Sequence, residues 1–292
     1  MYLGKYNNIK MKTGLVLEGG GMRGLFTAGI LDILLENNVN FDGVVGVSAG
    51  ATFGCNFVSR QIGRSLRYNI NFRNDPKYMG FRSLIKTGDL VGAEYAYHVL
   101  PTQLDVFDFE TFEKNPTEFH IVATNVKDGT AIYHHVDKMD YTGLEWLRAS
   151  ASMPIVSTPV AIGNLEMLDG GIADSIPLRY FESEGFTKNI VILTQPKGFT
   201  KKLTKLMPVF KATMRKYPAI IEAMGRRHIM YNHELEYITQ QQQAGKCLVI
   251  CPSDTLPISR TSQNAKKMQH VYAMGRKAGE ENLEAIKQFL AR

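Results

Sequence analysis

Apolar residues in the first sixty positions follow two alternating patterns. Residues 13–18 and 41–47 form short apolar runs, whereas the apolar residues of 22–37 and 49–60 recur at helical spacing. Strands that alternate with helices along a chain form parallel sheets that are covered on both faces. We therefore predict an α/β fold with three layers, α/β/α, and a mostly parallel central sheet.

The later part of the chain extends this sheet. Further strands are predicted over 118–126, 130–135, 162–168, 189–194 and 246–250, and an amphipathic helix over 262–290. Between about 61 and 115 the regular alternation disappears, which indicates a helical or loop excursion from the sheet that could form a lid. We expect one domain over 1–292, with its chemical motifs in 13–195, a basic segment over 197–245 and a closing strand and helix over 246–292.

Composition is that of an ordinary globular protein. The 292 residues are 44% hydrophobic and 21% charged, which excludes a disordered or low-complexity chain. No apolar run approaches the roughly 18 residues of a membrane-spanning helix, and the run 15–17 is too short for a signal peptide, so we expect a cytoplasmic protein. Of the three cysteines, Cys247 and Cys251 flank a strand-like run, which favours core positions over a metal site.

A glycine-rich turn lies between the first strand and the first helix. It reads Gly19-Gly20-Gly21-Met22-Arg23-Gly24. Glycines permit a sharp turn and leave successive backbone N–H groups free to bind an anion near the N-terminus of a helix. That anion could be a nucleotide phosphate or the oxyanion of an acyl-transfer intermediate, and the motif alone does not choose between them.

The second strand and second helix are joined by Gly46-Val47-Ser48-Ala49-Gly50, the pattern of a nucleophile elbow. In an elbow the serine backbone is strained, and the positions two residues to either side accept little more than glycine. Gly46 and Gly50 meet that requirement. The N–H group of Ala49 begins the following helix and is a candidate donor to a developing oxyanion.

A nucleophilic serine requires a base. The segment 165–168 alternates as a strand and ends at Asp169-Gly170-Gly171. An aspartate at the carboxyl end of a sheet strand faces the crevice where open α/β sheets hold their active sites. Asp169 is therefore the candidate base, although an Asp-Gly pair is by itself also typical of an ordinary turn.

Together the three segments resemble the patatin-like phospholipase family. Its members carry a glycine-rich oxyanion loop, a G-x-S-x-G serine and an Asp-Gly-Gly or Asp-Gly-Ala segment in the same order, and the segment Ala149 to Pro154 followed by Pro159 is a further match. Three serines depart from the family pattern, at Ser152, Ser157 and Ser175. The resemblance covers about residues 13–195.

The resemblance implies a patatin-like fold and a lipid acyl hydrolase of the phospholipase or lysophospholipase type. Ser48 is then the nucleophile and Asp169 accepts its proton, in a dyad that works without histidine. Residues 19–21 form the oxyanion loop, supported by Arg23 and Gly24. The expected partner is a lipid or acyl-ester substrate, with no metal or organic cofactor.

Two other functions remain open at this stage. An α/β-hydrolase triad would draw its histidine from His228, His233 or His270, which follow Asp169 in the right order but lie in no recognisable catalytic loop. A dinucleotide-binding protein would use the glycine turn, but it needs an acid at the end of the second strand, and Asp42 instead precedes that strand.

The excess of positive charge is confined to one segment. The formal net charge is +6, and residues 196–230 alone carry nine basic side chains against Glu222, which leaves the rest at −2. A general nucleic-acid-binding surface is therefore not implied. Apolar residues at helical spacing in this segment predict an amphipathic basic helix, divided at Pro208 and Pro218, that serves either as a lid or as a peripheral membrane-docking surface over about 197–227.

Overall fold

The computed structural model describes residues 11–80, 83–85 and 88–291, and a mixed sheet of eight strands runs through this part of the chain. The strands are β1 (Lys12–Leu17), β2 (Gly43–Val47), β3 (Glu118–Asn125), β4 (Ala131–His135), β5 (Val160–Ile162), β6 (Leu165–Asp169), β7 (Phe186–Ile192) and β8 (Cys247–Ile250). Their order across the sheet is β5-β6-β3-β2-β1-β7-β8, and β4 pairs with β3 outside this path.

The helices pack on this sheet and beside its ends. They are α1 (Leu25–Glu36), α2 (Ala49–Val58), α3 (Arg64–Phe72), α4 (Phe109–Lys114), α5 (Tyr141–Ala151), α6 (Leu178–Ser183), α7 (Met207–Thr213), α8 (Pro218–Gln243) and α9 (Ala265–Ala291), with a π-helical segment at Tyr95–Leu104. No helix among the described residues is long and apolar enough to cross a membrane. Lys5 and Lys10 of the N-terminus lie outside the described residues.

The side chains of β1 show that both faces of the sheet are covered. Leu15 and Leu17 belong to one hydrophobic cluster, which includes residues of α1, α2, α5 and α9, whereas Val16 belongs to another, which includes residues of α6 and α8. Successive side chains of a strand point to opposite faces, so the two clusters lie on opposite sides of the sheet. The predicted three-layer α/β/α fold is confirmed.

The central sheet is mostly parallel, but its β4–β6 side is antiparallel. β1 pairs in parallel with β2 and β7, and β2 with β3, whereas β6 pairs antiparallel with both β3 and β5. The single strand predicted over 162–168 was wrong. A two-residue turn at Gly163-Asn164, with φ of +57° at Gly163, divides it into the β5–β6 hairpin.

The predicted excursion over 61–115 contains α3, the π-helical segment and α4, which non-helical residues connect; residues 81–82 and 86–87 of it lie outside the description. At the other end of the chain, α9 packs along α1. A Cβ at Gly275 would lie 2.0 Å from the carbonyl oxygen of Phe26, so the two helices approach at backbone distance. The C-terminal helix is thus part of the main core.

The amphipathic basic helix predicted within the segment 197–227 was wrong in its first part. Residues 199–206 are not helical, and helix begins only at Met207, with Pro208 in the first turn of α7. A second helix, α8, begins at Pro218. Proline fits the first turn of a helix but interrupts its interior, which explains both boundaries.

Candidate active site

Ser48 occupies a strained turn between β2 and α2. Its φ of +55° and ψ of −122° lie outside the regions that side-chain-bearing residues normally adopt. The flanking glycines allow this turn, because a Cβ at Gly46 would lie 2.5 Å from the Ala51 nitrogen and one at Gly50 would lie 2.4 Å from the Leu17 carbonyl oxygen. The local geometry is that of a nucleophile elbow.

The Ser150 side chain supports the elbow through hydrogen bonds, a role that the sequence did not reveal. Its buried hydroxyl accepts a hydrogen bond from the Ser48 backbone N–H (2.8 Å) and donates one to the Val122 carbonyl oxygen (2.6 Å). The hydroxyl thus links α5, β3 and the elbow. Its sequence signal was only its place in the Ala149–Pro154 segment that matches the family.

Replacing Ser150 with alanine is expected to lower the free energy of unfolding by about 1–3 kcal/mol, because the Ser48 N–H and the Val122 carbonyl lose their buried partner. It should also lower kcat, since the nucleophile loses its support. Chemical denaturation and steady-state kinetics measure both effects. The matched control is Ser152→Ala, whose hydroxyl donates only to the Arg148 carbonyl of the same helix; equal losses in the two variants would contradict this role for Ser150.

The order of pairings along β3 brings Ser48 and Asp169 together. β2 pairs with the first part of β3, ending at Val47 opposite Val122, and β6 pairs with the last part, ending at Asp169 opposite Ala123. β4 pairs with one edge of β3, over residues that also pair with β2 and with β6. β2 and β6 must therefore both lie on the opposite edge of β3, where the end of one strand meets the end of the other. Asp169 is the last residue of its strand, as predicted, but β6 runs antiparallel to β3, so these pairings on β3 bring it to Ser48.

The Asp169 carboxyl is buried, with 1% of the residue exposed. Its Oδ1 accepts a hydrogen bond from the Gly171 N–H (2.8 Å), while Oδ2 has no hydrogen-bond partner among the described residues. Burial raises the pKa of Asp169, and the Arg227 charge, the nearby Ser48 hydroxyl and the Gly171 N–H act in the opposite direction. Oδ2 is therefore free to accept a hydrogen bond, and the Ser48 hydroxyl lies close enough to affect the pKa of this carboxyl.

The glycine loop lies directly beside the serine. A Cβ at Gly19 would be 3.0 Å from the Ser48 Cβ, and Gly21, with φ of +56°, packs against the Arg260 carbonyl. In the described part of the chain, the N–H groups of Gly19, Gly20 and Ala49 donate to no other residue. These groups stand at a turn and at the start of α2, where free N–H groups can bind an anion.

The remaining motif residues support this arrangement. Gly24 packs against the Ala49 side chain, and a Cβ at Gly170 would lie 2.2 Å from the Val122 carbonyl oxygen. The Gly171 carbonyl accepts a hydrogen bond from Nε of Arg227 and another from the Ser175 hydroxyl (2.8 Å). Ser175, one of the departures from the family pattern, therefore stabilises the turn after Asp169.

A cavity of about 220 Å³ opens onto Ser48, Asp169 and the glycine loop. One water molecule requires only about 10–15 Å³ measured this way, so the cavity holds a substrate-sized group. One part of its wall is apolar and comes largely from the excursion and from α5; its residues include Tyr68, Met79, Leu90, Val91, Tyr97, Leu100, Phe107, Leu144 and Leu147. The excursion thus covers the site with hydrophobic side chains.

Another part of the wall is basic, and of its residues only Arg23 was predicted to lie at the site. It includes Arg23, Lys201, Arg227 and Arg260, beside Tyr231. Lys201, predicted as part of an exposed docking surface, instead points inward, with Nζ 3.8 Å from the centre of the Tyr231 ring. Local charge density indicated basic residues in this segment, but nothing in their spacing distinguished inward from outward side chains.

No histidine among the described residues lines the cavity. His228 and His233 lie on α8, and His270 lies on α9. The cysteines are unpaired; Cys247 is buried and Cys251 is half-buried at the end of β8. The arrangement therefore offers the Ser48 hydroxyl, the buried Asp169 carboxylate with a free oxygen, and a set of free N–H groups around the same cavity.

The chain is similar in sequence to known proteins, among them lipid hydrolases. A family model described as patatin-like phospholipase matches residues 15–182, and a domain of unknown function (DUF6363) matches residues 217–291. The uncharacterized protein YjjU of Escherichia coli is 26% identical over 96% of this chain and 79% of its own length. Lysophospholipase nte1 of Aspergillus terreus is 24% identical over 94% of this chain, which spans only 18% of that protein. The solved structure of VipD from Legionella pneumophila aligns with a TM-score of 0.47 and 12% identity, covering 94% of this chain and 67% of VipD.

Proposed function

Because the chain belongs to the patatin-like phospholipase family, we propose that it hydrolyses carboxylic esters of lipids through a Ser48–Asp169 dyad. The observation that carries the proposal is the end-to-end meeting of β2 and β6 on β3, which sets the strained serine beside a buried carboxylate with an unpartnered Oδ2. The names of fungal relatives, which are lysophospholipases, support a lysophospholipid or phospholipid substrate.

The reaction proceeds in two acyl-transfer steps. Ser48 Oγ attacks the ester carbonyl while Asp169 Oδ2 takes its proton, and the alcohol portion departs with that proton. Water then attacks the acyl-enzyme carbonyl while Asp169 takes its proton, the bond between the acyl group and Ser48 Oγ breaks, and the proton returns to Oγ as the fatty acid leaves. Burial raises the pKa of Asp169, which makes the carboxylate a stronger base than an exposed aspartate.

The oxyanion of each tetrahedral intermediate is bound by backbone N–H groups. Gly19, which packs beside the Ser48 side chain, Gly20 and Ala49 have N–H groups that donate to no other described residue, and Gly21 packs against the Arg260 carbonyl. Donors fixed before the reaction stabilise the developing charge without reorganisation, and one such donor accounts for about 2.7–4 kcal/mol of the barrier in other hydrolases.

A panel of esters tests the proposal. The purified chain should release fatty acid from lysophospholipids and from soluble p-nitrophenyl esters of increasing acyl length, compared with a phospholipid and a triacylglycerol. No hydrolysis of any ester across the panel would reject it. We also propose that the chain forms a single acyl-hydrolase domain, since α8 and the loop before α9 line the same cavity as the family motifs. A cytoplasmic location stays a prediction.

We also propose that the segment 202–216 docks on anionic membrane. Leu203 and Leu206 are more than half exposed and Val209 is 41% exposed, while Phe210 and Met214 are buried against α8. Exposed apolar side chains beside a row of lysines are typical of a surface that lies in a lipid interface. The exposed basic residues of this docking surface are Lys202, Lys205, Lys211, Arg215 and Lys216.

The triple variant K202E/K205E/K211E is expected to lose binding to vesicles containing phosphatidylserine, since each basic residue near an anionic surface contributes about 1 kcal/mol. Vesicle sedimentation at low and high salt measures this, and wild-type binding should weaken with salt. The control K138E/K266E/K267E makes the same change of net charge at other exposed positions. Equal binding by wild type and the first variant at low salt would exclude the docking surface.

A further inference from the structure

The cavity carries more positive charge than the dyad mechanism uses. Four cationic side chains, Arg23, Lys201, Arg227 and Arg260, form one part of its wall, here called the basic wall. A fifth, Arg64, is ion-paired with Asp105 (3.2 Å). Among the described residues, none of the four in the basic wall forms an ion pair with an acid.

The two acids that line the cavity are already engaged. Glu18 accepts hydrogen bonds from the Thr194 N–H (2.6 Å) and the Tyr231 hydroxyl (2.8 Å). Asp169 accepts one from the Gly171 N–H and faces Ser48. Counting these two acids against the four cations of the basic wall leaves a formal excess of two positive charges beside the reacting serine.

Hydrogen bonds of the backbone or of the side chain connect three of these four residues to neighbouring elements. The backbone of Lys201 is bound to α8 by two hydrogen bonds with the Asn232 amide (2.8 and 3.0 Å). Arg227 donates through Nε to the Gly171 carbonyl, and the Arg260 carbonyl accepts from the Met22 N–H (3.0 Å). Arg227 and Arg260 are thereby tied to the two motifs that flank the site.

Their mutual proximity is unfavourable without an anion. Burial, together with the charges of Arg227 and Arg260, lowers the pKa of Lys201 to about 7. Burial and the charge of Arg260 also lower the pKa of Arg23. Like charges in a partly buried site repel one another unless a negative group lies between them.

We propose that the basic wall binds the phosphate of the substrate's leaving portion, so that the enzyme prefers acyl esters bearing a terminal phosphate over those bearing choline. A phosphomonoester carries about −1.5 to −2 charges at pH 7, which matches the local excess. A choline would place a cation in the same cluster, and the Tyr231 ring face that could receive it is occupied by Lys201.

The two parts of the cavity wall give the substrate one orientation. The apolar part, from the excursion and α5, receives the acyl chain, and the basic wall, from Arg23 and residues 201–260, receives the glycerol phosphate. The ester carbonyl then lies between them, at Ser48 and the glycine loop. Arg227, Tyr231 and Arg260 belong to the segment matched by the domain of unknown function, so this segment acquires a role in substrate selection, a role that rests on the proposed function.

The test compares two soluble substrates with the same short acyl chain, hexanoyl-glycerol 3-phosphate and hexanoyl-glycerophosphocholine. Wild type should show the higher kcat/KM for the phosphate ester. Lys201→Met and Arg260→Gln should each reduce the ratio of the two kcat/KM values by about 10- to 100-fold, the effect of one charge-assisted hydrogen bond. A ratio near one in wild type, or a ratio that neither substitution changes, would overturn the inference. The proposed function would still hold in that case, provided that both esters are hydrolysed.

Arg226→Gln is the matched control. Arg226 is next to Arg227 on α8, but its side chain is 77% exposed and contacts Glu222 (3.4 Å) outside the cavity, so the ratio should not change. Binding of glycerol 3-phosphate, measured by calorimetry, supplies a readout that does not need turnover. If no ester is hydrolysed, the proposed function fails, and the calorimetry then tests the anion site by itself. Loss of glycerol 3-phosphate binding in Lys201→Met and Arg260→Gln would support the site, and unchanged binding would exclude it.

Discussion

Replacing Ser48 with alanine is expected to reduce kcat for ester hydrolysis by about 10⁴-fold or more, the loss seen when the nucleophile of a serine hydrolase is removed. The fold should persist, because the bond that anchors the elbow to Ser150 comes from the Ser48 backbone N–H and the turn depends on Gly46 and Gly50. Kinetics with a p-nitrophenyl ester and thermal unfolding measure the two properties separately.

Ser183→Ala is a suitable control, since Ser183 is exposed and its hydroxyl donates only to the Tyr180 carbonyl. A serine-directed phosphonate should label wild type and Ser183→Ala at Ser48 and leave Ser48→Ala unlabelled. A folded Ser48→Ala variant with turnover comparable to wild type would disprove the assignment of the nucleophile.

Asp169→Asn is expected to lower kcat by about 10⁴-fold, because an amide cannot accept the serine proton. The change keeps an oxygen for the Gly171 N–H and should leave the fold intact. Because burial raises the pKa of Asp169 and the base acts in its ionised form, wild-type kcat/KM should fall on acidification at a pH above that of an exposed aspartate. A pH–rate profile with a soluble ester measures this.

Asp174→Asn is the matched control, because it removes another carboxylate close to the turn that follows Asp169. Asp174 accepts a hydrogen bond from the Tyr133 hydroxyl (2.7 Å) and does not line the cavity, so this variant should retain most of the activity. Single replacements of His228, His233 and His270 should do the same. If one of the histidine variants lost activity as severely as Asp169→Asn, a triad would replace the dyad.

The two glycine motifs illustrate what short stretches of sequence can predict. A turn that requires a positive φ, as at Gly21, or the close approach of backbone, as at Gly50, restricts the residue at that position to glycine. The requirement is local, so the motif and its strand–turn–helix context are visible without a structure. The candidate pair Ser48 and Asp169 was found this way, and the structure sets both at one cavity.

The basic segment illustrates the opposite case. Its charge was evident in the composition, yet Lys201 points into the cavity and Lys202 points outward. A helical periodicity was assumed there, but Pro208 and Pro218 confine helix to α7 and α8. Without a regular period, the direction of each side chain depends on contacts with distant residues, here Tyr231 and Asn232 on α8.

The sequence by itself determined the layered α/β fold, the elbow, the glycine loop and the acid, because each depends on backbone preferences and apolar spacing within a few residues. The tertiary structure alone decided three further features: the antiparallel β6 that meets β2 on the edge of β3, the support of Ser48 by Ser150, and the presence of Lys201, Arg227 and Arg260 in the wall of one cavity. Each of these features joins residues that are far apart in the chain. The free energy that selects such pairings comes from the packing of the whole core, and a pattern within a few residues does not reveal it.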